Sequence, residues 1–316
     1  ADAIPTWRKY AAAKPPLVLL SQAPFLTPIP EKIREDVVQL VHNSDQANFQ
    51  AKATAKTAAP LLLPSMALSA ALTTETFSSV VWVLPTASTE TPLSLDAFRQ
   101  QLIKSGVATP DEAEAFKENG IGFIGKLRQT PINVVPFHAL TKVTDSAVIH
   151  IDLSFFKSLY QDDVKTPMHP LVSDVLIKLA ETIPGIFGVT ISHNNETCII
   201  PLQFRFLGKL LARICHTPAL LEQEPEGIDA LRSQALYQQN FFKKEDVRDL
   251  YLQMEELAPD DASIQYELYL LARQFKQGDD ALNYLQRAVA IDPVYGLEYI
   301  ALANDALDKR LPADSL

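Results

Sequence analysis

The order of apolar and polar positions in the first 220 residues alternates between two periodicities. Short apolar runs of strand length recur at Leu17–Leu20, Val80–Leu84, 132–135, 147–153 and 188–192. Between these runs, apolar residues recur at helical spacing over 31–43, 65–76, 95–105, 110–118, 170–182 and 202–214. Strands that alternate with helices form a mainly parallel sheet covered by helices on both faces. Residues 1–220 are therefore predicted to be a three-layer α/β domain.

The remaining segment, 221–316, is predicted to be all-helical and to contain a repeat. Pro259 and Pro293 each follow an apolar helical stretch and are 34 positions apart, and apolar positions match at the same shift. This period, together with the sequence from Gln277 to Pro293, resembles the tetratricopeptide family of helical hairpins. The resemblance implies two hairpins, at about 226–259 and 260–293, whose stacked surface binds a protein or peptide. The alternative for so short an array is that it only supports the larger domain.

A stack of hairpins leaves an apolar face at its end that a further helix must cover. Residues 296–311 are predicted to form this helix. Its apolar positions have approximately helical spacing and are expected to face the stack: Leu297, Ile300, Ala301, Ala303 and Leu307. The charged residues of the segment are expected to face water: Asp305, Asp308, Lys309 and Arg310.

Residues 120–125 read Gly-Ile-Gly-Phe-Ile-Gly, which has the spacing of a dinucleotide-binding loop. Such a loop leaves a strand and opens a helix, so that the phosphate meets the helix N-terminus. Here the glycines follow the helical stretch at 110–118 and precede an extended hairpin into 132–135. We therefore interpret them as turn residues and predict neither a nucleotide nor any other cofactor.

Composition and charge narrow the classes of partner. No apolar run reaches the ~20 residues that cross a bilayer, because Pro60 and Pro64 interrupt the richest stretch, 58–72. The formal net charge is -10, and segment 221–316, with 19 acidic and 9 basic residues, carries all of that imbalance. An acidic surface repels phosphate backbones. Neither a membrane span nor nucleic-acid binding is therefore predicted.

The start of the chain and its cysteines bear on location. The sequence begins Ala-Asp-Ala without methionine, which fits removal of an export signal at a small-residue site or trimming of the chain. We therefore hypothesise that the protein is exported to the periplasm. Cys198 and Cys215 could pair in an oxidising compartment, while two separate buried thiols are the expectation here.

Two apolar stretches of the larger domain end in polar residues or proline. They are 77–85, Phe-Ser-Ser-Val-Val-Trp-Val-Leu-Pro, and 148–156, Val-Ile-His-Ile-Asp-Leu-Ser-Phe-Phe. Both resemble segments of a poorly characterised branch of the arginase–deacetylase superfamily, in the same order along the chain. The resemblance covers about 15–200. It implies a parallel α/β sandwich that hydrolyses C–N bonds at one or two metal ions held at strand ends.

The metal ligands that this resemblance implies are mostly missing. The positions that correspond to the early ligand cluster are Ser21, Ala23 and Phe25, and none of them is a usable ligand for a divalent metal. At the later strand, His150 replaces the first aspartate and Asp152 remains. A site that activates water normally takes at least three protein ligands, and only these two can be named.

The candidate ligand-binding residues lie where α/β sheets usually place ligands. They are Ser21, His150, Asp152 and Ser154, with His193 and Asn195 in the turn after 188–192. His150 and Asp152 are the two that could still hold a metal, and no residue is assigned a catalytic role. The alternative is that His150 and Asp152 are a polar pair at the end of a buried strand, capped by backbone donors.

The hypothesis that follows is a non-catalytic binding or scaffold protein, a pseudoenzyme whose arginase-like domain is joined to a protein-interaction module. The alternative function is a metal-dependent hydrolase of C–N bonds that uses a rearranged site around His150 and Asp152. A third possibility is a generic α/β enzyme whose likeness to arginases is accidental. The arginase alignment requires Ser21 and Asp152 to meet at one edge of the sheet, on neighbouring strands.

Overall fold

The structure is a computed structural model that describes residues 2–43, 45–53, 60–86, 94–162, 168–193 and 200–308. The chain divides into two compact units. The first unit comprises Ala1–Asp163, Val172–Ile200 and Leu207–Pro218. The second unit comprises Val164–Leu171, Pro201–Phe206 and Ala219–Leu316.

Within the described residues, a seven-stranded mixed sheet organises the first unit. Its strands are β1 (Leu17–Leu20), β2 (Val80–Leu84), β3 (Lys117–Asn119), β4 (Gly122–Leu127), β5 (Thr130–Pro136), β6 (Ala147–Asp152) and β7 (Ile186–Ser192). Their order across the sheet is β3-β4-β5-β2-β1-β6-β7. Across the sheet, the five strands β5, β2, β1, β6 and β7 are parallel to their neighbours. β4 pairs with β5, and β3 with β4, in antiparallel orientation. The predicted α/β class is confirmed, but the sheet is mixed and not wholly parallel.

The helices up to residue 216 are α1 (Ile4–Arg8), α2 (Glu31–Asn43), α3 (Gln46–Ala53), α4 (Ala67–Thr73), α5 (Leu95–Lys104), α6 (Pro110–Glu114), α7 (Ser154–Asp162), α8 (Met168–Thr182) and α9 (Phe206–His216). Each of the six predicted helices has a counterpart, and α2 has the predicted bounds, whereas α1, α3 and α7 were not predicted. The helix predicted over 110–118 is shorter, because it ends at Glu114 and the chain enters β3 at Lys117. Its start is fixed by a capping box between Thr109 and Glu112.

The glycine-rich residues 120–125 form the turn between β3 and β4 and the first part of β4. Gly120 has a φ of +62°, a conformation that side chains disfavour. In β4, a Cβ on Gly122 would lie 2.1 Å from the carbonyl oxygen of Val134, and one on Gly125 would lie 2.6 Å from the ring of Phe116. A turn and close packing therefore account for these glycines. The motif links two strands and does not lead from a strand into a helix.

β1 is an interior strand of the sheet, between β2 and β6, and all four of its side chains are buried. Since successive side chains of a strand point to opposite faces, both faces of the sheet are covered here. On one face, Leu17 and Leu19 belong to an apolar cluster with Ile4 of α1, Val37 of α2 and Leu68 of α4. Packed side chains therefore surround β1 on both faces of the sheet.

The second unit contains α10 (Gly227–Gln239), α11 (Lys244–Leu257), α12 (Ala262–Gln274), α13 (Gly278–Ile291) and α14 (Leu297–Asp308). The predicted C-terminal helical region is confirmed. Helices α11 and α13 begin and end 34 positions apart. Their buried residues follow the same shift, with Val247, Tyr251 and Met254 of α11 matching Ala281, Leu285 and Ala288 of α13. In the two hairpins, α10–α11 and α12–α13, the second helices thus repeat with this period, and the first helices begin and end 35 positions apart.

Helix α14 forms as predicted, but the face expected to cover the stack is exposed. The exposed fractions of Leu297, Ile300 and Leu307 are 51%, 58% and 72%. Glu298 instead points inward and accepts hydrogen bonds from the hydroxyls of Tyr266 and Tyr269, each at 2.7 Å. Leu302 and Ala306 continue that inward face, Leu302 in the apolar cluster of the hairpins and Ala306 buried. This polar anchor sets the rotation of α14, and apolar spacing could not reveal it. Lys309 and Arg310 lie outside the described residues.

Candidate functional site

The ends of β1, β6 and β7 bring the predicted polar residues together in the first unit. Leu20 is paired with Ile151 in the parallel β1–β6 ladder, so Ser21 and Asp152 follow as neighbours at one edge of the sheet. In the next ladder, Asp152 is paired with Ser192 at the end of β7. We call Ser21, His150, Asp152, Ser154 and Ser192 the polar edge. The adjacency of Ser21 and Asp152 that the arginase alignment requires is therefore present.

Both ring nitrogens of His150 are hydrogen-bonded within the sheet. Nδ1 lies 2.8 Å from Oγ1 of Thr190, and Nε2 lies 3.1 Å from Oγ of Ser192. A neutral imidazole has one donor and one acceptor nitrogen, and each hydroxyl can take the complementary role. Thr190 is held in place in turn, because Nε1 of Trp7 donates a hydrogen bond to its Oγ1 at 3.0 Å. A metal ion would have to displace one of these partners to reach a lone pair of His150.

Aromatic rings enclose the same imidazole. The rings of Trp7 and Phe25 lie with centroids 5.3 Å and 5.1 Å from that of His150, at interplanar angles of 84° and 85°. His150 is only 2% exposed. Burial lowers the pKa of His150 to about 3, because the charged ring would lose its hydration, so the ring is neutral at neutral pH. Phe25, at a position where the arginase resemblance implies a metal ligand, therefore packs against the histidine.

Asp152 and Ser154 join the polar edge to α7. Asp152 is fully buried, and its Oδ1 accepts a hydrogen bond from the backbone N–H of Ser154 at 2.8 Å. A carboxylate that accepts from the first N–H groups of a helix stabilises that helix start. Ser154 is itself buried, and its Oγ has no hydrogen-bond partner within the described part of the chain. The geometry gives Asp152 a capping role at the end of a buried strand.

Ser21 is used in the turn that follows β1. Its Oγ donates to the carbonyl oxygen of Ala23 at 2.6 Å, and the backbone N–H of Ala23 lies 3.3 Å from the same Oγ. The carbonyl oxygen of Ser21 accepts a hydrogen bond from Nε1 of Trp82 at 2.9 Å. Ser21 is fully buried. Its polar atoms shape the chain after β1 and are not exposed to solvent.

His193, in the turn after β7, packs against α9. A Cβ on Gly208 of that helix would lie 2.5 Å from Nε2 of His193, so the imidazole rests directly on the helix backbone. Asn195, the other candidate in this turn, lies outside the described residues, as does Cys198. Cys215 is a free thiol, and burial raises its pKa.

The chemistry available at the polar edge is limited. Among the described residues, no three His, Cys, Asp or Glu side chains are grouped so that they could hold a metal ion. The groups present are one neutral imidazole, one capping carboxylate and three hydroxyls. Because Ser21, His150, Asp152 and Ser154 are all buried, a substrate in solvent has no contact with them.

The sequence reasoning gave no role to Trp7, Trp82 and Thr190, and it did not connect Ser192 with His150. Strand register and the packing of α1 bring these residues to His150 or Ser21. One local signal exists, since Thr190 and Ser192 alternate with apolar residues in β7, but without the β6–β7 register it does not identify their partner.

Comparison of the chain with protein-family models, with curated proteins and with solved structures finds no match. Over the described residues, no helix combines the length and the apolar character needed to span a bilayer.

Proposed function

We propose that this chain is a non-catalytic binding or scaffold protein. In this proposal an arginase-like α/β domain without a working metal site accompanies tetratricopeptide-like hairpins that bind a protein or peptide. The observation that carries the proposal is the state of His150. Both of its ring nitrogens are engaged by β7, and two aromatic rings enclose it.

Hydrolysis at a metal ion needs ligands with free lone pairs, an open coordination position and access for water and substrate. The polar edge meets none of these needs among the described residues. The acceptor nitrogen of His150 is engaged by a hydroxyl of β7, Asp152 caps α7, and both side chains are buried. Their hydrogen bonds hold strands and a helix together, which supports a structural use of positions that bind metal in the family this domain resembles.

The binding role is supported by the second unit. Its hairpins repeat with the 34-residue period of tetratricopeptide arrays, which present surfaces to proteins and peptides. The turn of the first hairpin also exposes Phe242, and a large exposed aromatic residue is typical of an interaction surface.

Metal analysis tests the non-catalytic part of the proposal. The intact chain is purified without chelators, and its zinc, manganese and iron contents are measured beside those of Asp152→Ala and of Asp174→Ala, a control on α8. We expect far less than one equivalent of any metal in all three proteins. Stoichiometric metal that is lost only in Asp152→Ala would contradict the proposal and favour the hydrolase that uses His150 and Asp152.

Affinity capture with the intact chain, followed by hydrogen-exchange mass spectrometry of the reconstituted complex, tests the binding part. We expect new protection in peptides from α10 to α14, because that segment would contact the partner. Protection confined to the strands and helices of the first unit would show that the hairpins are not the binding module.

A further inference from the structure

A cavity of about 440 Å³ lies within the second unit, beside the turn of the first hairpin. Residues from α10, α11 and α12 contribute to its lining, as do those of the α10–α11 turn. Its apolar part is formed by Val247, Leu270 and Leu271, and its polar part includes the carboxamides of Gln239 and Gln274. Cavities that combine apolar walls with a few polar groups are typical ligand sites.

A buried carboxyl group lines this cavity. Glu267 of α12 is 3% exposed, and burial raises its pKa to about 7. The charged or polar groups that act on it are Arg232 and Gln239, both on α10, and Gln239 donates a hydrogen bond to it. A carboxyl group in a cavity can accept further hydrogen bonds, so it provides a site for an N–H donor of a ligand.

An exposed aromatic residue stands at the edge of the same cavity. Phe242 is 85% exposed and has a φ of +57°, a conformation that is unusual for a bulky residue. The matching turn position of the second hairpin, 34 residues later, is Lys276 with a φ of +59°. Both hairpin turns therefore share this backbone conformation, whereas only the turn of the first hairpin has an aromatic side chain at this position. Phe242 thus presents its phenyl ring to solvent beside the cavity.

Two lysines complete the lining on the side of the turn. Lys243 and Lys244 both border the cavity, although segment 221–316 as a whole is acidic. Lys243 is 4.0 Å from Asp246 in an exposed pair, which holds it weakly. An anionic group of a ligand would meet two positive charges at this point.

We propose that this cavity binds an extended peptide segment that carries an apolar side chain next to a carboxylate. The apolar side chain lies between Phe242 and the wall formed by Val247 and Leu270. The carboxylate lies at Lys243 and Lys244, and a main-chain N–H of the peptide donates to Glu267. This inference deepens the proposed function, on which it rests, by naming the site and the chemistry of the ligand.

The probe is a display library of random linear heptapeptides, selected on the immobilised intact chain and then measured by fluorescence anisotropy. We expect selected peptides to combine an apolar residue with an acidic one. Phe242→Gly and Lys244→Glu are each expected to weaken binding by about tenfold or more, as for central interface residues. The matched control is Phe241→Ala, which removes the neighbouring exposed ring that does not line the cavity and should change affinity by less than about twofold.

A pH series adds a readout that a purely structural role would not change. Because an N–H donor favours the ionised carboxyl group, wild-type affinity is expected to rise from about pH 6 to about pH 8, and Glu267→Gln should remove that rise. Selection of no peptide, or full affinity in Phe242→Gly and Lys244→Glu, would overturn the inference. The proposed function would still stand in that case if captured partners protect α10–α14, and it would fail separately if they do not.

Discussion

Glu267→Gln is expected to change how the stability of the chain depends on pH. The pKa of Glu267 is raised from 4.5 to about 7 by burial, so the folded state binds its proton more tightly than the unfolded state does. Burial thus disfavours the ionised form of Glu267 relative to the protonated form. The favourable contribution of the protonated group is therefore complete below about pH 4.5, falls as the pH rises, and is lost above about pH 7.

The size of the effect follows from the two pKa values. One pKa unit corresponds to about 1.4 kcal/mol, so ionisation of Glu267 lowers the free energy of unfolding by about 3 kcal/mol between pH 4.5 and pH 7. The amide that Glu267→Gln introduces does not titrate and has nearly the shape of the protonated acid. The variant should therefore match wild type in acid and be more stable by up to about 3 kcal/mol at neutral pH and above.

Urea unfolding followed by far-ultraviolet circular dichroism, at a series of pH values from about 4.5 to about 8, measures this difference. Glu256→Gln is the control, because Glu256 is an exposed residue of α11 and the same change there should shift stability by less than about 0.5 kcal/mol at every pH. Parallel stability curves for wild type and Glu267→Gln would refute the reasoning.

Three further changes test local features of the fold, each by chemical denaturation of the intact chain. Phe242→Gly should raise the free energy of unfolding by about 1 kcal/mol, because glycine adopts a positive φ without steric cost; an unchanged or lower value would show that the turn is not strained. Gly122→Ala should lower the free energy of unfolding by more than about 2 kcal/mol, because the new Cβ would lie 2.1 Å from the carbonyl oxygen of Val134. Gly278→Ala is the control: a Cβ there would have no atom within 4 Å, so the free energy of unfolding should not fall. Thr109→Ala should cost about 1 kcal/mol through loss of the capping box, and no loss would mean that α6 does not depend on its cap.

Local features of the fold could be predicted from the sequence because they depend on neighbours along the chain. Apolar runs bounded by polar residues and prolines predicted β1 and β2 with their observed bounds, and helical spacing predicted α2. The two prolines 34 positions apart indicated the repeat, since a hairpin of fixed length places its turns at a fixed interval. The candidate residues Ser21 and Asp152 were also within reach, because polar residues after buried apolar runs mark strand ends.

Features that depend on side-chain contacts between different elements could not be predicted in this way. The spacing of Leu297, Ile300 and Leu307 predicts a helix, but Glu298 turns that face outward by bonding to two tyrosines. His150 reads as a possible ligand in sequence, and only the packing of Trp7 and the β6–β7 register show that its nitrogens are occupied.

The sequence by itself thus determined the parallel strands, the larger part of the helices and the repeat of this protein. The tertiary structure alone decided that both ring nitrogens of His150 are engaged and that a carboxyl group is buried beside an exposed phenylalanine. The physical reason is that hydrophobic periodicity records the character of each position, whereas burial, lone-pair occupancy and pKa depend on atoms contributed by distant parts of the chain.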